Sequence, residues 1–275
     1  MQPLSTLEAL RQSITTIENR PALGPKPAQH QGQGPLGLLS PPAGLLHDIY
    51  ASHPRESGLA LGLAFGLVRP LVGGARHAVL HLHLAADGQE IGLPYAPGLS
   101  SFGLDPSRVI FGRLSSLSDL LWAMEEALGC RAVAAVIADL ATPPKGLDFT
   151  ASRRLSMRAA SSGASALIIR YGQDRAMSAA HLRWAVSPAL TQPQAFDARA
   201  PGRPRFLIEL ERSRLGQLDG RVEGTRLLVD WTHHGFICAE TVTPDRSPAD
   251  RDPQRVAPPS GSVSAPLGHG LSQTG

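Results

Sequence analysis

One stretch of the sequence has the order of elements that surrounds a phosphate-binding site. Leu46 to Tyr50 predicts a short strand, residues 57–68 predict an apolar helix, and a loop joins them. A working phosphate loop needs glycine at both ends, so that its backbone N–H groups can curl around the phosphates. It also needs a lysine for the β and γ oxygens and a Ser or Thr for Mg²⁺. Such a loop would bind a nucleoside triphosphate and support its hydrolysis.

The residues of this loop provide little of that chemistry. They include one glycine, a proline that lacks an N–H, and no lysine. Arg55 offers charge, but its planar guanidinium does not replace the compact ammonium of lysine. We therefore predict a degenerate phosphate loop with no nucleotide cofactor and no catalytic residue. The loop comprises Ala51, Ser52, His53, Pro54, Arg55, Glu56, Ser57 and Gly58.

The elements around the loop alternate between strand and helix. The run from Ala132 to Ala138 is uncharged and closes with Asp139, as in a parallel strand that is buried on both faces. This alternation predicts an α/β fold in which a mostly parallel sheet is flanked by helices. Strands are predicted at 46–50, 78–84, 132–138 and 166–169, and helices at 57–68, 114–128 and 148–161.

The sequence changes character after Pro188. Residues 189–204 are rich in Pro, Gln and Ala and predict a loop, whereas 205–211 and 225–238 predict strands around a Gly-bearing turn. We therefore expect antiparallel edge strands at the C-terminal side of the sheet. The last residues, 243–275, contain Pro, Ser, Gly and charge without periodicity, which predicts a disordered tail.

The N-terminal residues predict an amphipathic docking helix. Ser5-Thr6-Leu7-Glu8 is a capping-box pattern, and apolar residues follow it at helical spacing. We assign the docking helix to residues 1–20, a linker to 21–44 and the core to 45–242. The apolar stripe is expected to dock on another protein, and the alternative is that it folds back on its own core. The stripe consists of Leu7, Leu10, Ile14 and Ile17.

Positive charge is concentrated in one part of the chain. Residues 151–214 hold eleven arginines against four acidic residues, although the formal net charge of the whole chain is only +3. Such an excess indicates an anionic partner, of which nucleic acid is the first candidate. Arg153, Arg154 and Arg158 lie on a predicted helix and are candidates for weak, sequence-independent contacts with DNA phosphates. A solvated helix face is the alternative interpretation.

Several other features argue against metal sites, export and membranes. His77, His81 and His83 share one face of a strand, but no cysteine or carboxylate accompanies them at ligand spacing, so we predict no metal site. The N-terminus carries Glu8 and no apolar core of signal-peptide length. The most apolar run, 58–68, is too short to span a membrane. We expect a cytoplasmic protein without membrane contacts.

Three segments, in their order along the chain, resemble a RecA-like core. Residues 48–58 resemble the entry into a RecA phosphate loop. The end of the second strand, 84–88, resembles the place where RecA relatives keep an acidic residue beside the attacking water, here Asp87. The run 133–139 resembles a Walker B strand. The resemblance implies a RecA-like sheet with a phosphate loop that has lost its function.

Within this class the chain resembles the ImuA family over about residues 4–240. These are RecA-like accessory proteins of the bacterial mutasome. The resemblance implies a non-catalytic adaptor in DNA-damage-induced (SOS) translesion synthesis. Its implied partners are a Y-family-like ImuB protein, an error-prone DnaE-type polymerase and RecA. The alternative is an active RecA-type ATPase or recombination mediator with an atypical loop. The resemblance depends on residues 44–48, 120–128, 150–155, 183–186 and 204–206.

Overall fold

The computed structural model describes residues 37, 39–88, 92–141, 146–194, 196–197, 199–215, 223–232 and 234–242, with side chains of the last segment as far as Ala239. The predicted docking helix, with Leu7, Leu10, Ile14 and Ile17, lies outside these residues, and so does the predicted tail from 243 onward.

The described strands form one sheet in the order β3-β2-β4-β5-β1-β6-β7-β8-β9. The first six strands of this order are parallel, and β7, β8 and β9 continue the sheet antiparallel from β6. The predicted fold class, a RecA-like, mostly parallel sheet with antiparallel strands at the C-terminal side, is therefore confirmed. The strands are β1 Leu46–Ala51, β2 Ala78–Leu84, β3 Val109–Leu114, β4 Val133–Leu140, β5 Ser165–Tyr171, β6 Leu182–Pro188, β7 Arg205–Ser213, β8 Thr225–Thr232 and β9 Gly235–Val242.

Two of the described α-helices begin where a side chain accepts a free N–H group of the first turn. Ser116 accepts from the Asp119 N–H at the start of one helix, and Asp148 accepts from the Ala151 N–H at the start of another. Gly163, at φ 80°, ends the latter helix in a left-handed conformation that favours glycine. The helices are α1 Ser57–Val68, α2 Ala96–Ser101, α3 Leu117–Gly129 and α4 Phe149–Ser162, with short 3₁₀ turns at Pro54–Glu56, Arg69–Leu71 and Pro106–Arg108.

Helix α1 covers one face of the sheet and belongs to the larger of two hydrophobic cores. This core includes Phe65 of the helix and Trp184 of β6. The helix lies close to the antiparallel strands because it carries glycine at position 66, where an added Cβ would overlap the rings of Phe236 and Trp231. The close approach allows a single helix to cover strands on both sides of β1.

Helices α3 and α4 cover the opposite face of the sheet and form the second core. Leu120 and Leu128 of α3 and Leu155 of α4 are fully buried there. These side chains recur at helical spacing, so each helix presents one apolar stripe to the sheet.

The connection from β5 to β6 is an irregular segment, which we call the crossover segment (residues 172–181). Parallel neighbours in α/β sheets are usually joined by a helix. Here, side chains of the sheet hold the backbone of the segment instead. Arg183 Nη2 donates to the Ala176 carbonyl at 2.7 Å, and Arg212 Nη2 donates to the Ser178 carbonyl at 3.1 Å. The Ser178 hydroxyl in turn donates to the buried carboxylate of Asp48.

The element predictions agree with the structure at most positions, with three corrections. Strand β6 was not predicted, although its residues alternate between buried and half-buried. Helix α3 begins at Leu117 rather than at 114, because Ser116 caps it and Leu114 completes β3. The strand predicted at 225–238 is two strands, β8 and β9, which pair antiparallel with each other.

Candidate functional site

The loop between β1 and α1 uses its backbone N–H groups internally. The Ser52 N–H donates to Glu56 Oε2 at 2.8 Å, and the Arg55 N–H donates to His53 Nδ1 at 3.1 Å. The N–H groups of Glu56 and of the residue after it donate to the carbonyls of His53 and Pro54. Pro54 itself has no N–H to donate. Four donors that could face a phosphate are therefore engaged, and the carboxylate of Glu56 lies beside them.

A neighbouring part of the fold holds the same loop. Gln173 Nε2 donates to the Ser52 hydroxyl at 3.2 Å, and the Gly172 N–H donates to the Ala51 carbonyl at 3.0 Å. Ala51 is buried at the end of β1, whereas Gly58 is exposed in the first turn of α1. The eight residues of the predicted loop thus lie at the carboxyl end of β1, the edge where α/β proteins bind ligands.

Asp139, the counterpart of a Walker B residue in the RecA resemblance, is 2% exposed and already has a partner. The Tyr171 hydroxyl donates to Asp139 Oδ1 at 2.8 Å, and His81 Nε2 lies 3.8 Å from Asp139 Oδ2. Burial and the neighbouring carboxylate raise the pKa of Tyr171, so this phenol stays a proton donor. Tyr171 was not singled out from the sequence, since nothing in its own segment shows that β5 lies beside β4.

The acidic residue and the histidines at the end of β2 are also buried. Asp87 Oδ2 accepts from the Ala141 N–H at 3.0 Å, which ties the loop after β2 to the end of β4. His81 and His83 are buried, whereas His77 is exposed. Burial and the neighbouring His81 lower the pKa of His83. Within the described part of the chain, no group of three or more His, Cys, Asp or Glu residues could hold a metal ion.

Comparison with known proteins identifies the family. No family model matches the chain. Protein ImuA of Caulobacter vibrioides, in two strains, is 30% identical over 191 residues, which are 65% of this chain and 74% of the relative. The chain belongs to the ImuA family.

The three arginines predicted to contact DNA occupy the outer side of α4 in this ImuA family member. Arg154 Nη2 lies 3.0 Å from Glu125 Oε1 of α3, and Arg158 Nε donates to the Glu125 carbonyl at 3.3 Å. Arg153 is exposed, and no ion pair to it is found among the described residues. The structure brings the three arginines together on one helix, but one of them is already paired with a carboxylate.

A buried charge cluster that the sequence did not reveal lies under the crossover segment of this ImuA family member. Asp48 is fully buried; Arg170 Nε lies 3.6 Å from its Oδ1 and Arg183 Nη2 lies 3.7 Å from its Oδ2. The three residues come from β1, β5 and β6, and only the strand order makes them neighbours. A single acid in the apolar strand Leu46–Ala51 was the one signal available.

No helix among the described residues is long and apolar enough to cross a membrane.

Proposed function

We propose that this ImuA family member is a non-catalytic, RecA-like adaptor in DNA-damage-induced translesion synthesis. It would act in the cytoplasm with a Y-family-like ImuB partner and an error-prone DnaE-type polymerase, and RecA would be a further partner. Membership of the ImuA family and the RecA-like sheet support this proposal. The active ATPase or recombination mediator remains the competing function.

The hydrogen bonding of the loop between β1 and α1 carries the non-catalytic part of the proposal. Phosphate binding by such a loop depends on several N–H groups that point at one anion, together with a cation. Here the N–H groups of Ser52 and Arg55 are taken by the side chains of Glu56 and His53. A phosphate would have to displace Glu56, and its own charge would be repelled by that carboxylate if it remained nearby.

The surroundings of Asp139 support the same conclusion. A Mg²⁺ ligand must offer a free carboxylate oxygen to the ion or to its bound water. One oxygen of Asp139 accepts from the Tyr171 hydroxyl, and the residue is buried. Metal-assisted phosphoryl transfer at this position would require the Tyr171 contact to be rearranged and water to enter.

The test is a measurement of ATP binding and hydrolysis by the full chain, with an active RecA-type ATPase as the positive control. We expect no micromolar binding of ATP with Mg²⁺ and no turnover above background. The Arg55→Ala variant should support damage-induced mutagenesis as well as the wild-type chain, because Arg55 is the one cation of the loop and is exposed. Turnover that disappears in Asp139→Asn would establish the ATPase instead, and loss of mutagenesis in Arg55→Ala would show that this loop has a role in the function.

Two predicted contacts stay part of this proposal. The stripe of Leu7, Leu10, Ile14 and Ile17 is proposed to dock on a partner, because a row of apolar side chains at helical spacing is unfavourable in water. Weak DNA binding by Arg153, Arg154 and Arg158 is proposed only as a salt-sensitive, non-specific contribution. The pairing of Arg154 with Glu125 reduces the positive charge available for that contribution.

A further inference from the structure

Three large apolar side chains are exposed on the outer side of helices α3 and α4. Trp122 of α3 is 68% exposed, and Phe149 and Met157 of α4 are 40% and 46% exposed. The other two tryptophans, Trp184 and Trp231, are 1% and 4% exposed. Exposed Trp, Met and Phe are typical of the centres of protein interfaces, where they carry much of the binding energy.

These side chains belong to one surface. The contacts of Glu125 with Arg154 and Arg158 place α3 and α4 side by side. Both helices connect parallel strands of one sheet, so they run in the same direction. Trp122 lies one turn before Glu125 on α3. On α4, Phe149, Arg153 and Met157 follow one another at intervals of four residues, which puts them in one row. We call Trp122, Glu126, Phe149, Arg153 and Met157 the docking face.

The docking face has opposite charges on its two sides. Helix α3 carries Asp119, Glu125 and Glu126 and no basic residue, whereas α4 carries three arginines and no acidic residue. The pair between Glu125 and Arg154 neutralises the middle of the face. An acidic side therefore remains on α3 around Glu126 and a basic side on α4 around Arg153. Trp122 and Met157 lie between them, and Phe149 lies beyond Arg153.

This charge pattern is complementary to itself. A two-fold axis parallel to the two helices places α3 of one copy over α4 of the other, so that acid faces base twice. A two-fold axis perpendicular to the helices in the same plane would place α3 over α3 and oppose like charges. The Glu125–Arg154 contact shows that these two residues lie at the same level along the helix axes. The first arrangement keeps that level, so Trp122 lies over the first turns of the opposite α4, beside Phe149 and Arg153. Glu126 then lies within about one helical turn of the opposite Arg153.

We infer that the docking face binds a second copy of this chain, in a two-fold dimer with Trp122 of each copy on α4 of the other. A nucleic acid fits the face less well, because the carboxylates of Asp119, Glu125 and Glu126 surround Trp122 in sequence at intervals of three or four residues. They would repel a phosphate backbone that followed a base stacked on the indole. The inference does not depend on the proposed function.

The test uses the full chain and Trp122 as a reporter. Because Trp122 is the only tryptophan of the three that is exposed, acrylamide quenching of the intrinsic fluorescence reports its accessibility. We expect sedimentation equilibrium to show a monomer–dimer equilibrium, and quenching to fall as the dimer forms. Trp122→Ala should weaken dimerisation at least about tenfold. The controls Leu190→Ala and Phe196→Ala, at exposed apolar residues outside the face, should leave it unchanged.

A charge exchange tests the two-fold arrangement itself. Arg153→Glu and Glu126→Arg should each weaken the dimer at least about tenfold, since each opposes like charges. The double variant should restore dimerisation, because the opposite charges then face each other again.

Three outcomes would overturn the inference. The first is a wild-type chain that is monomeric at every accessible concentration. The second is a double variant that dimerises as weakly as the single variants. The third is a Trp122 that is protected from acrylamide in the monomer and becomes accessible when residues 1–20 are deleted. The last result would show that the N-terminal segment of the same chain covers the face.

Discussion

Replacing Asp48 with asparagine removes one negative charge from the centre of the sheet and leaves two arginines near the position it occupied. Arg170 is 8% exposed, and its Nε and Nη2 have no hydrogen-bond acceptor among the described residues. Arg183 keeps its bond to the Ala176 carbonyl. Asparagine has nearly the same shape as aspartate and can still accept from Ser178, so the substitution isolates the effect of charge.

The expected cost follows from the burial of this cluster. Removing one partner of a buried ion pair costs about 3–5 kcal/mol, because the remaining charge stays desolvated. The distances from Asp48 to Arg170 and Arg183 are long, 3.6 and 3.7 Å, and the bond to Ser178 is retained. We therefore place the loss of unfolding free energy at about 3 kcal/mol. For a domain of this size the Tm should fall by about 6–12 °C.

Urea unfolding and differential scanning calorimetry of Asp48→Asn measure this loss. The matched control is Glu125→Gln, which breaks a surface pair whose side chains are 61% and 31% exposed. It should cost no more than about 1 kcal/mol. An Asp48→Asn variant within about 1 kcal/mol of wild type would show that the arginines tolerate the loss of the charge. The crossover segment would then not depend on the charge of Asp48.

Two further predictions concern the core. Burial, and then His181, lowers the pKa of His47 from its ordinary 6.5 to about 3. The folded state keeps His47 neutral while the unfolded state takes up a proton below pH 6.5, so stability should fall by about 1.4 kcal/mol per pH unit between pH 6.5 and 3. His47→Gln should reduce the slope measured by urea unfolding; a slope unchanged by that substitution would contradict this origin. Gly66→Ala should cost about 1–3 kcal/mol because the new methyl overlaps Phe236. Gly58→Ala, where nothing lies within 4 Å of an added Cβ, should not destabilise.

Much of the fold could be predicted because its elements carry local signals. The strands 46–50 and 78–84 and the helix 57–68 were placed within one residue of their observed ends. The helix predicted at 148–161 is observed as α4, and Asp148 caps it by accepting from the Ala151 N–H. Each of these features depends on neighbours in sequence.

The features that the sequence did not show depend on long-range packing. Trp122 lies in a helix whose apolar residues point towards the sheet, and its own apolarity gave no indication that it faces solvent. The alternation of Leu182, Trp184 and Val186 was a usable strand signal, but the arginine between the first two obscured it. That arginine, Arg183, is tolerated because it reaches Asp48 and the crossover segment.

The sequence by itself determined which chemical groups the loop between β1 and α1 can offer. The loop 51–58 contains Pro54 and no lysine, and folding changes neither property. Only the tertiary structure decided what the remaining groups do. The carboxylate of Glu56 accepts from the Ser52 N–H, and the Tyr171 hydroxyl of β5 donates to Asp139 of β4. The latter contact exists because the strand order brings β5 beside β4, and residues 32 positions apart become neighbours only when a sheet has been assembled.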